Sequence, residues 1–98
     1  MPYIIETWDK ENHQELRQAL RQEHLDFLNQ RLELLLACGA KLNDDGSDLG
    51  GGVYIIDVDT RDAAQNFIEH DPFYTGGLFE KIKIGCWRKA YIDGKFCL

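Results

Sequence analysis

The hydrophobic segments at the start and middle of the chain are short and rich in β-branched and aromatic residues, a pattern typical of strands. YIIETW (3–8) and VYIIDV (53–58) each contain consecutive apolar residues. A later segment, EKIKIGCWRKAY (80–91), alternates, with Ile82 and Ile84 on one face and lysines on the other. These three segments are predicted strands.

Between the first two strands, apolar residues recur at spacings of three and four, which predicts a long helix. It is predicted to begin at Asn12, which forms a capping-box pattern with Glu15, and to end at Cys38 before Gly39. Because this is long for one helix in so short a chain, a break is expected near residues 19–22.

The remaining elements follow from turn and cap residues. A short strand is predicted at 40–43, inside the turn-rich KLNDDGSDLGGG segment. Asp59 and Thr60 can cap a second helix from Arg61 to about His70. That helix is predicted to end at Asp71-Pro72, because the residue before proline disfavours helical geometry.

The resulting order, βαββαβ, predicts an α+β fold of the ferredoxin-like type in one domain spanning 1–98. Such a fold has a four-stranded antiparallel sheet with both helices on one face, and its first and third strands are central. The other face would expose Ile4 or Ile5, Trp8 and part of 53–56, and an apolar patch of that kind marks an interface. We therefore expect a homodimer, sheet face to sheet face; a monomer with a modest exposed patch is the alternative.

Charge and cysteine content narrow the class of partner. The 98 residues contain 11 Lys and Arg against 17 Asp and Glu, a net charge of −6, which disfavours nucleic acid and membrane surfaces as partners. Three cysteines without CxxC spacing suit reduced thiols in the cytoplasm, and no apolar run approaches the roughly 18 residues of a membrane span. The three histidines lack metal-site spacing, so no metal or cofactor is predicted.

His24 is the most informative candidate for chemistry. Leu20 and Leu28 lie four residues before and after it, which places the imidazole on or beside the apolar helix face. In the predicted fold, the first helix begins at the sheet edge where the second helix ends, so we expect His24 and Asp71 to approach each other. A carboxylate beside an imidazole favours its protonated form and fixes one tautomer, as in acid–base catalysis. A packed structural histidine and a helix-ending Asp-Pro pair are the alternatives.

Two further residues are candidate substrate contacts. Arg21, one turn before His24, can bind a substrate anion, with a surface ion pair as the alternative. Tyr74 can donate a hydrogen bond to a ligand, with simple packing as the alternative.

Several segments, taken in order, resemble the YCII-related (YciI-like) family of small dimeric α+β barrel proteins. They are YIIETWDK, RQEHLDFL, GGVYIIDV, DAAQNFIEHDPFY, GLFEKIKI and WRKA. The resemblance implies dimerisation through the sheets and an active site of one histidine and one aspartate, which match His24 and Asp71. Relatives often carry proline where this chain has Gln22, a change that would let the first helix continue unbroken.

The resemblance does not name a substrate, since one characterised kind of member eliminates chloride from a chlorinated hydroxyhydroquinone and most members have no assigned reaction. The first hypothesis is a cofactor-independent enzyme for elimination or isomerisation of a small cyclic or aromatic metabolite. In it His24 transfers the proton, Asp71 orients His24, and Arg21 and Tyr74 contact the substrate. The second hypothesis is a non-catalytic dimeric module that binds a small molecule. A third, nucleic-acid binding on the sheet, requires a basic surface that this acidic chain lacks.

Overall fold

The computed structural model describes residues 1–98, and its strands and helices follow the predicted α+β order. The elements are β1 (Tyr3–Asp9), α1 (Gln14–Asn29), β2 (Leu35–Leu42), β3 (Asp48–Ile56), α2 (Arg61–Glu69), α3 (Pro72–Thr75), β4 (Phe79–Cys86), β5 (Tyr91–Ile92) and β6 (Lys95–Phe96). No helix is long and apolar enough to cross a bilayer.

The main sheet is antiparallel with the strand order β2-β3-β1-β4, so the prediction that the first and third strands are central is confirmed. Ile5 of β1 lies opposite Tyr54 of β3 on one side and Ile84 of β4 on the other. Because side chains alternate along a strand, this register sends Ile5, Tyr54 and Ile56 to the same face, where all three are buried.

The helices cover that face unevenly. Helix α2 packs over β1 and β4 with Ala64, Phe67 and Ile68 buried beneath it. Thr60 begins this helix as predicted, since its side chain accepts a hydrogen bond from the Ala63 N–H at 3.1 Å. Helix α1 instead packs mainly against α3. The half of the sheet formed by β2 and β3 is therefore left with open space above it.

The predicted extent of the first helix is wrong. Helix α1 ends at Asn29, a short 3₁₀ turn follows at Leu32–Leu34, and the chain then forms β2 from Leu35. The run LELLLAC fits helical spacing, but a short continuous apolar run is equally compatible with a strand. Pairing with β3 gives these backbone groups their hydrogen-bond partners, so the strand is adopted. The expected break near 19–22 is also absent.

The predicted start of the first helix is wrong by one residue, and the predicted side-chain cap is absent. His13 is the N-cap residue of α1, and no side chain caps the helix. Asn12 adopts φ 58°, a left-handed conformation that asparagine tolerates better than most residues. Asn12 therefore turns the chain into the helix instead of capping it.

The last predicted strand is shorter than expected. β4 ends at Cys86, where Tyr3 is its partner, and the Trp87 N–H then donates to the Pro2 carbonyl. The chain beyond forms a small hairpin of β5 and β6, which sequence patterning did not predict. Its turn contains Asp93 and Gly94, both with positive φ.

We predict that Gly51 is essential to this fold. It has φ +134°, and a Cβ there would lie 2.1 Å from the Thr7 carbonyl oxygen of β1. Gly51→Ala is expected to lower the free energy of unfolding by about 2–4 kcal/mol, since it combines backbone strain with a clash against a central strand. Urea denaturation measures the loss. Gly39→Ala is the matched control, because a Cβ at Gly39 meets nothing within 4 Å; equal stability of the two variants would contradict the prediction.

Candidate active site

A cavity of about 610 Å³ fills the space between α1 and strands β2 and β3. This volume lies in the range of small-molecule sites, about 300–1,000 Å³. Its wall is a mixture of leucines and polar groups. The polar and aromatic lining residues include Thr7, Arg17, Arg21, His24, Cys38, Tyr54 and Phe73.

The structure brings His24 and Asp71 together, as the sequence predicted. The His24 Nδ1 atom lies 2.9 Å from each carboxylate oxygen of Asp71. Since a carboxylate only accepts, Nδ1 carries the proton and donates it. Nε2 of His24 has no hydrogen-bond partner and is not sealed from solvent, so this atom is available to a molecule in the cavity.

Local chain geometry holds Asp71 in place. Asp71 is the N-cap residue of α3, where its Oδ1 accepts a hydrogen bond from the Phe73 N–H at 2.9 Å. Pro72 occupies the first helical turn, a position that suits its fixed φ. The Asp-Pro step therefore ends one helix and begins another, and the carboxylate is completely buried as a result.

Tyr54 is a member of this site that sequence reasoning missed. Its hydroxyl donates to Asp71 Oδ2 at 2.7 Å, and the side chain lies in the inward-facing row of β3. Burial, followed by the negative charge of Asp71 and this hydrogen bond, raises the pKa of Tyr54 well above its ordinary value. Tyr54 is thus a neutral donor. The only sequence signal for it was the single aromatic residue in the predicted strand VYIIDV.

Phe73 packs against the imidazole of His24. Its ring is stacked on that of His24, with 3.9 Å between centroids and 12° between the planes. The hydrogen bonds to Asp71 and this stacking together restrict rotation of the imidazole. The pair can therefore present Nε2 as a proton acceptor in one orientation, with a carboxylate placed to stabilise the imidazolium formed.

The two predicted substrate contacts are placed differently. Arg21 is exposed but lines the cavity, and no carboxylate lies within ion-pair distance of it. Tyr74 is 37% exposed and is not among the residues of the cavity wall. The aromatic hydroxyl that the structure brings to the cavity is that of Tyr54.

Cys38 faces Tyr54 across the β2–β3 pair and also lines the cavity. Burial and the negative charge of Asp71 raise the pKa of its thiol to about 11, although the positive charge of Arg17 acts in the opposite direction. The thiol is therefore protonated at neutral pH, and it is a poor nucleophile because the thiolate is the reactive form.

We predict that Cys38 reacts slowly with iodoacetamide at pH 8. Its alkylation should be at least about tenfold slower than that of Cys97, because the raised pKa leaves little thiolate. Asp71→Asn removes one cause of the shift and should accelerate the reaction at Cys38 alone. Peptide mass spectrometry follows the three thiols in one sample, with exposed Cys97 as the internal control. Equal rates at Cys38 and Cys97 would refute the assignment.

No group of three or more His, Cys, Asp or Glu side chains is arranged to hold a metal ion. His70 is separate from the cavity, and its Nδ1 contacts the Asn66 carbonyl at 2.7 Å.

Comparison with known proteins agrees with this description. Residues 1–88 match the family model described as the YCII-related domain. Two curated relatives, each called Protein YciI, come from Escherichia coli O6:H1 and Shigella flexneri. Each is 28% identical over 102 aligned residues, covering 93% of this chain and 100% of the relative.

A solved structure shares the fold closely. It is 5-chloro-2-hydroxyhydroquinone dehydrochlorinase from Burkholderia phenoliruptrix in complex with 2,5-dihydroxybenzoquinone. The TM-score is 0.82 at 25% sequence identity, and the match covers 90% of this chain and 94% of the other.

Proposed function

The chain belongs to the YCII-related family, and from this membership and the cavity geometry we propose that it is a small acid–base enzyme acting on a cyclic or aromatic metabolite. His24 is the proton-transferring residue and Asp71 orients it. The observation that carries the proposal is the hydrogen-bonded pair at the cavity: His24 lines the wall, with Nδ1 occupied by the buried Asp71 and Nε2 free.

In the proposed reaction, Nε2 of His24 removes a proton from a hydroxyl group of the bound ring. The imidazolium gives this proton to the ring carbon that bears the leaving group, which forms the keto tautomer. Nε2 then removes a second hydroxyl proton, and the electron pair released expels the leaving group as an anion and leaves a quinone. Asp71 stabilises the imidazolium, which then returns the proton to solvent or to the product. The solved neighbour is named as a dehydrochlorinase of a hydroxyhydroquinone, which supports elimination of this kind. Atoms and electrons balance without an added oxidant.

The test is an assay of the wild-type chain on a panel of hydroxylated rings. Chloride release is measured with 5-chloro-2-hydroxyhydroquinone, and exchange of ring hydrogens in D₂O is followed by NMR for rings without a leaving group. Catalysis that depends on His24 supports the proposal. Rings that bind in the cavity without any turnover or exchange would instead indicate the non-catalytic binding module.

We also propose that two copies associate through the sheet face opposite the helices. Ile4 and Trp8 of β1 and Val53 and Ile55 of β3 alternate with the buried residues, so they face that side, where they are only half-buried. The patch is not wholly apolar, because the ammonium group of Lys41 lies 4.1 Å from the centroid of the Trp8 ring.

Ile55→Arg is expected to disrupt this dimer, because it places a charge at the centre of the apolar patch. Sedimentation velocity should give twice the chain mass of 11.3 kDa for the wild type and the single-chain mass for the variant. Leu98→Arg is the matched control, since Leu98 is 69% exposed and lies outside the main sheet. A wild-type chain that sediments as a monomer would contradict the proposal.

As its location we propose the cytoplasm. Cys38, Cys86 and Cys97 are all free thiols, which suits a reducing compartment.

A further inference from the structure

The β5–β6 hairpin presents an aromatic surface that no part of its own chain covers. Tyr91 and Phe96 are directly opposite each other, so their side chains share one face, with 5.5 Å between the ring centroids. Both residues are 65% exposed, whereas Ile92 on the other face is half-buried. A two-stranded hairpin is marginally stable in water unless an apolar face packs against something. The exposed aromatic face is therefore suited to contact with another molecule.

The charge of the hairpin is opposite to that of the whole chain. Residues 88–96 carry three cationic side chains against one carboxylate, although the chain has a net charge of −6. The cations are Arg88, Lys89 and Lys95, and none of them forms an ion pair within the chain. The family match ends at residue 88, so the hairpin lies outside the matched domain. A basic aromatic surface of this kind is complementary to an acidic apolar one.

The β2–β3 turn of the same molecule has that complementary character. Residues 42–49 carry three carboxylates and no cation, together with two leucines that are more than half exposed. These five residues are Leu42, Asp44, Asp45, Asp48 and Leu49. None of the three carboxylates forms an ion pair within the chain. The turn is therefore an acidic surface flanked by leucines, and its charge is not neutralised locally.

The hairpin and the turn lie at opposite corners of the main sheet. The hairpin follows Cys86, at the end of edge strand β4 that pairs with Tyr3. The turn joins edge strand β2 to β3 beyond Gly51, which pairs with Trp8 at the other end of β1. From the strand geometry these corners are roughly 20 Å apart along the strands and about 14 Å apart across them. The hairpin and the turn of one chain are therefore out of contact.

We propose that the β5–β6 hairpin of one copy docks on the β2–β3 turn of a second copy. This inference rests on the proposed sheet-face dimer and adds a second contact to it. A two-fold axis that lies between the sheets, perpendicular to the line joining the two corners, exchanges those corners. Each hairpin then meets the turn of the other copy, so the contact forms twice. The strands of the two sheets cross steeply in this arrangement, close to the orthogonal packing known for sheets.

The docked hairpin also lies beside the candidate active site. Asp48 belongs both to the β2–β3 turn and to the wall of the cavity. A hairpin on this turn therefore places aromatic and cationic side chains of the second copy at one rim of each cavity. Formation of the dimer and the shape of the site are linked in this way.

Carbodiimide cross-linking of mixed dimers tests the contact. The reagent joins a lysine to a carboxylate without a spacer, so it reports groups that touch. Chains labelled with ¹⁴N and ¹⁵N are mixed in equal amounts, and native mass spectrometry confirms that mixed dimers have formed before cross-linking and digestion. Peptides that join 88–96 to 42–49 should appear at four masses, because the two halves come from different chains. A contact within one chain gives only two masses.

A substitution in the hairpin measures how much the contact contributes. Tyr91→Ser should raise the dissociation constant of the dimer by about 10- to 100-fold, the range for loss of an aromatic side chain at the centre of a contact. Tyr74→Ser is the matched control, because Tyr74 is also an exposed tyrosine but lies on α3, on the helix side of the sheet. Sedimentation velocity over a range of concentrations gives the constants, and circular dichroism confirms that each variant is folded.

The results separate this proposal from the sheet-face dimer. Interchain cross-links together with a weakened Tyr91→Ser dimer support the hairpin contact. Either the absence of these interchain cross-links or an unchanged dissociation constant for Tyr91→Ser overturns it, and a dimer that persists leaves the sheet face standing. A wild-type chain that is monomeric at every concentration overturns both.

Discussion

Replacing His24 by asparagine is expected to abolish measurable turnover while the fold remains intact. The asparagine amide can occupy the position of Nδ1 and still donate to Asp71, but nothing replaces Nε2. Loss of a positioned general base costs about 10²- to 10⁴-fold in rate. The midpoint temperature of thermal unfolding should stay close to that of the wild type, although turnover is lost.

The rate is measured as product formed per enzyme at saturating substrate. His70→Asn is the matched control, because His70 is exposed at the end of α2, its ring hydrogen-bonds the Asn66 carbonyl, and it does not line the cavity. It should retain wild-type turnover. A His24→Asn enzyme that works as fast as the wild type would show that the proton passes through another group, and the proposed mechanism would be abandoned.

The largest effect on stability is expected for Asp71→Ala. The carboxylate is completely buried and accepts from His24, from the Tyr54 hydroxyl and from the Phe73 N–H. Its removal leaves these three donors without an acceptor in the interior. Breaking a buried charged interaction in this way costs about 3–5 kcal/mol, a large share of the roughly 5–15 kcal/mol that stabilises a typical domain.

Urea denaturation of each variant and of the wild type under the same conditions measures this loss in the free energy of unfolding. Asp71→Asn should lose less than Asp71→Ala, because its amide oxygen can still accept from the Phe73 N–H. Asp44→Ala, at an exposed position in the β2–β3 turn, should be close to the wild type. If Asp71→Ala unfolds at the wild-type urea concentration, the network is energetically unimportant and this view of the site is wrong.

Much of the fold was predictable because topology depends on the order of elements. The central positions of β1 and β3 follow from the βαββαβ order, and so does the meeting of His24 with Asp71. The start of β2 was not predictable, because Leu34, Leu35 and Leu36 satisfy helical and strand spacing equally. Only the pairing of this segment with β3 decides between the two.

The remaining members of the site depend on side-chain direction, which sequence patterning does not give. Val53, Tyr54, Ile55 and Ile56 are all apolar or aromatic, so nothing in the pattern says which of them face the helices. The register with β1 makes that choice and places Tyr54 against Asp71. Phe73 and Arg17 join the site because α1 packs against α3, a contact that sequence spacing does not encode.

One carboxylate oxygen links two tasks, since Oδ1 of Asp71 both caps α3 and accepts from His24. Selection for a folded chain alone will therefore preserve this aspartate. A descendant that had lost all catalysis would still keep it, together with the buried histidine that pairs with it. In such a lineage, the presence of these two residues shows common ancestry and a stable fold. It does not show activity, which has to be established from residues that the fold does not need.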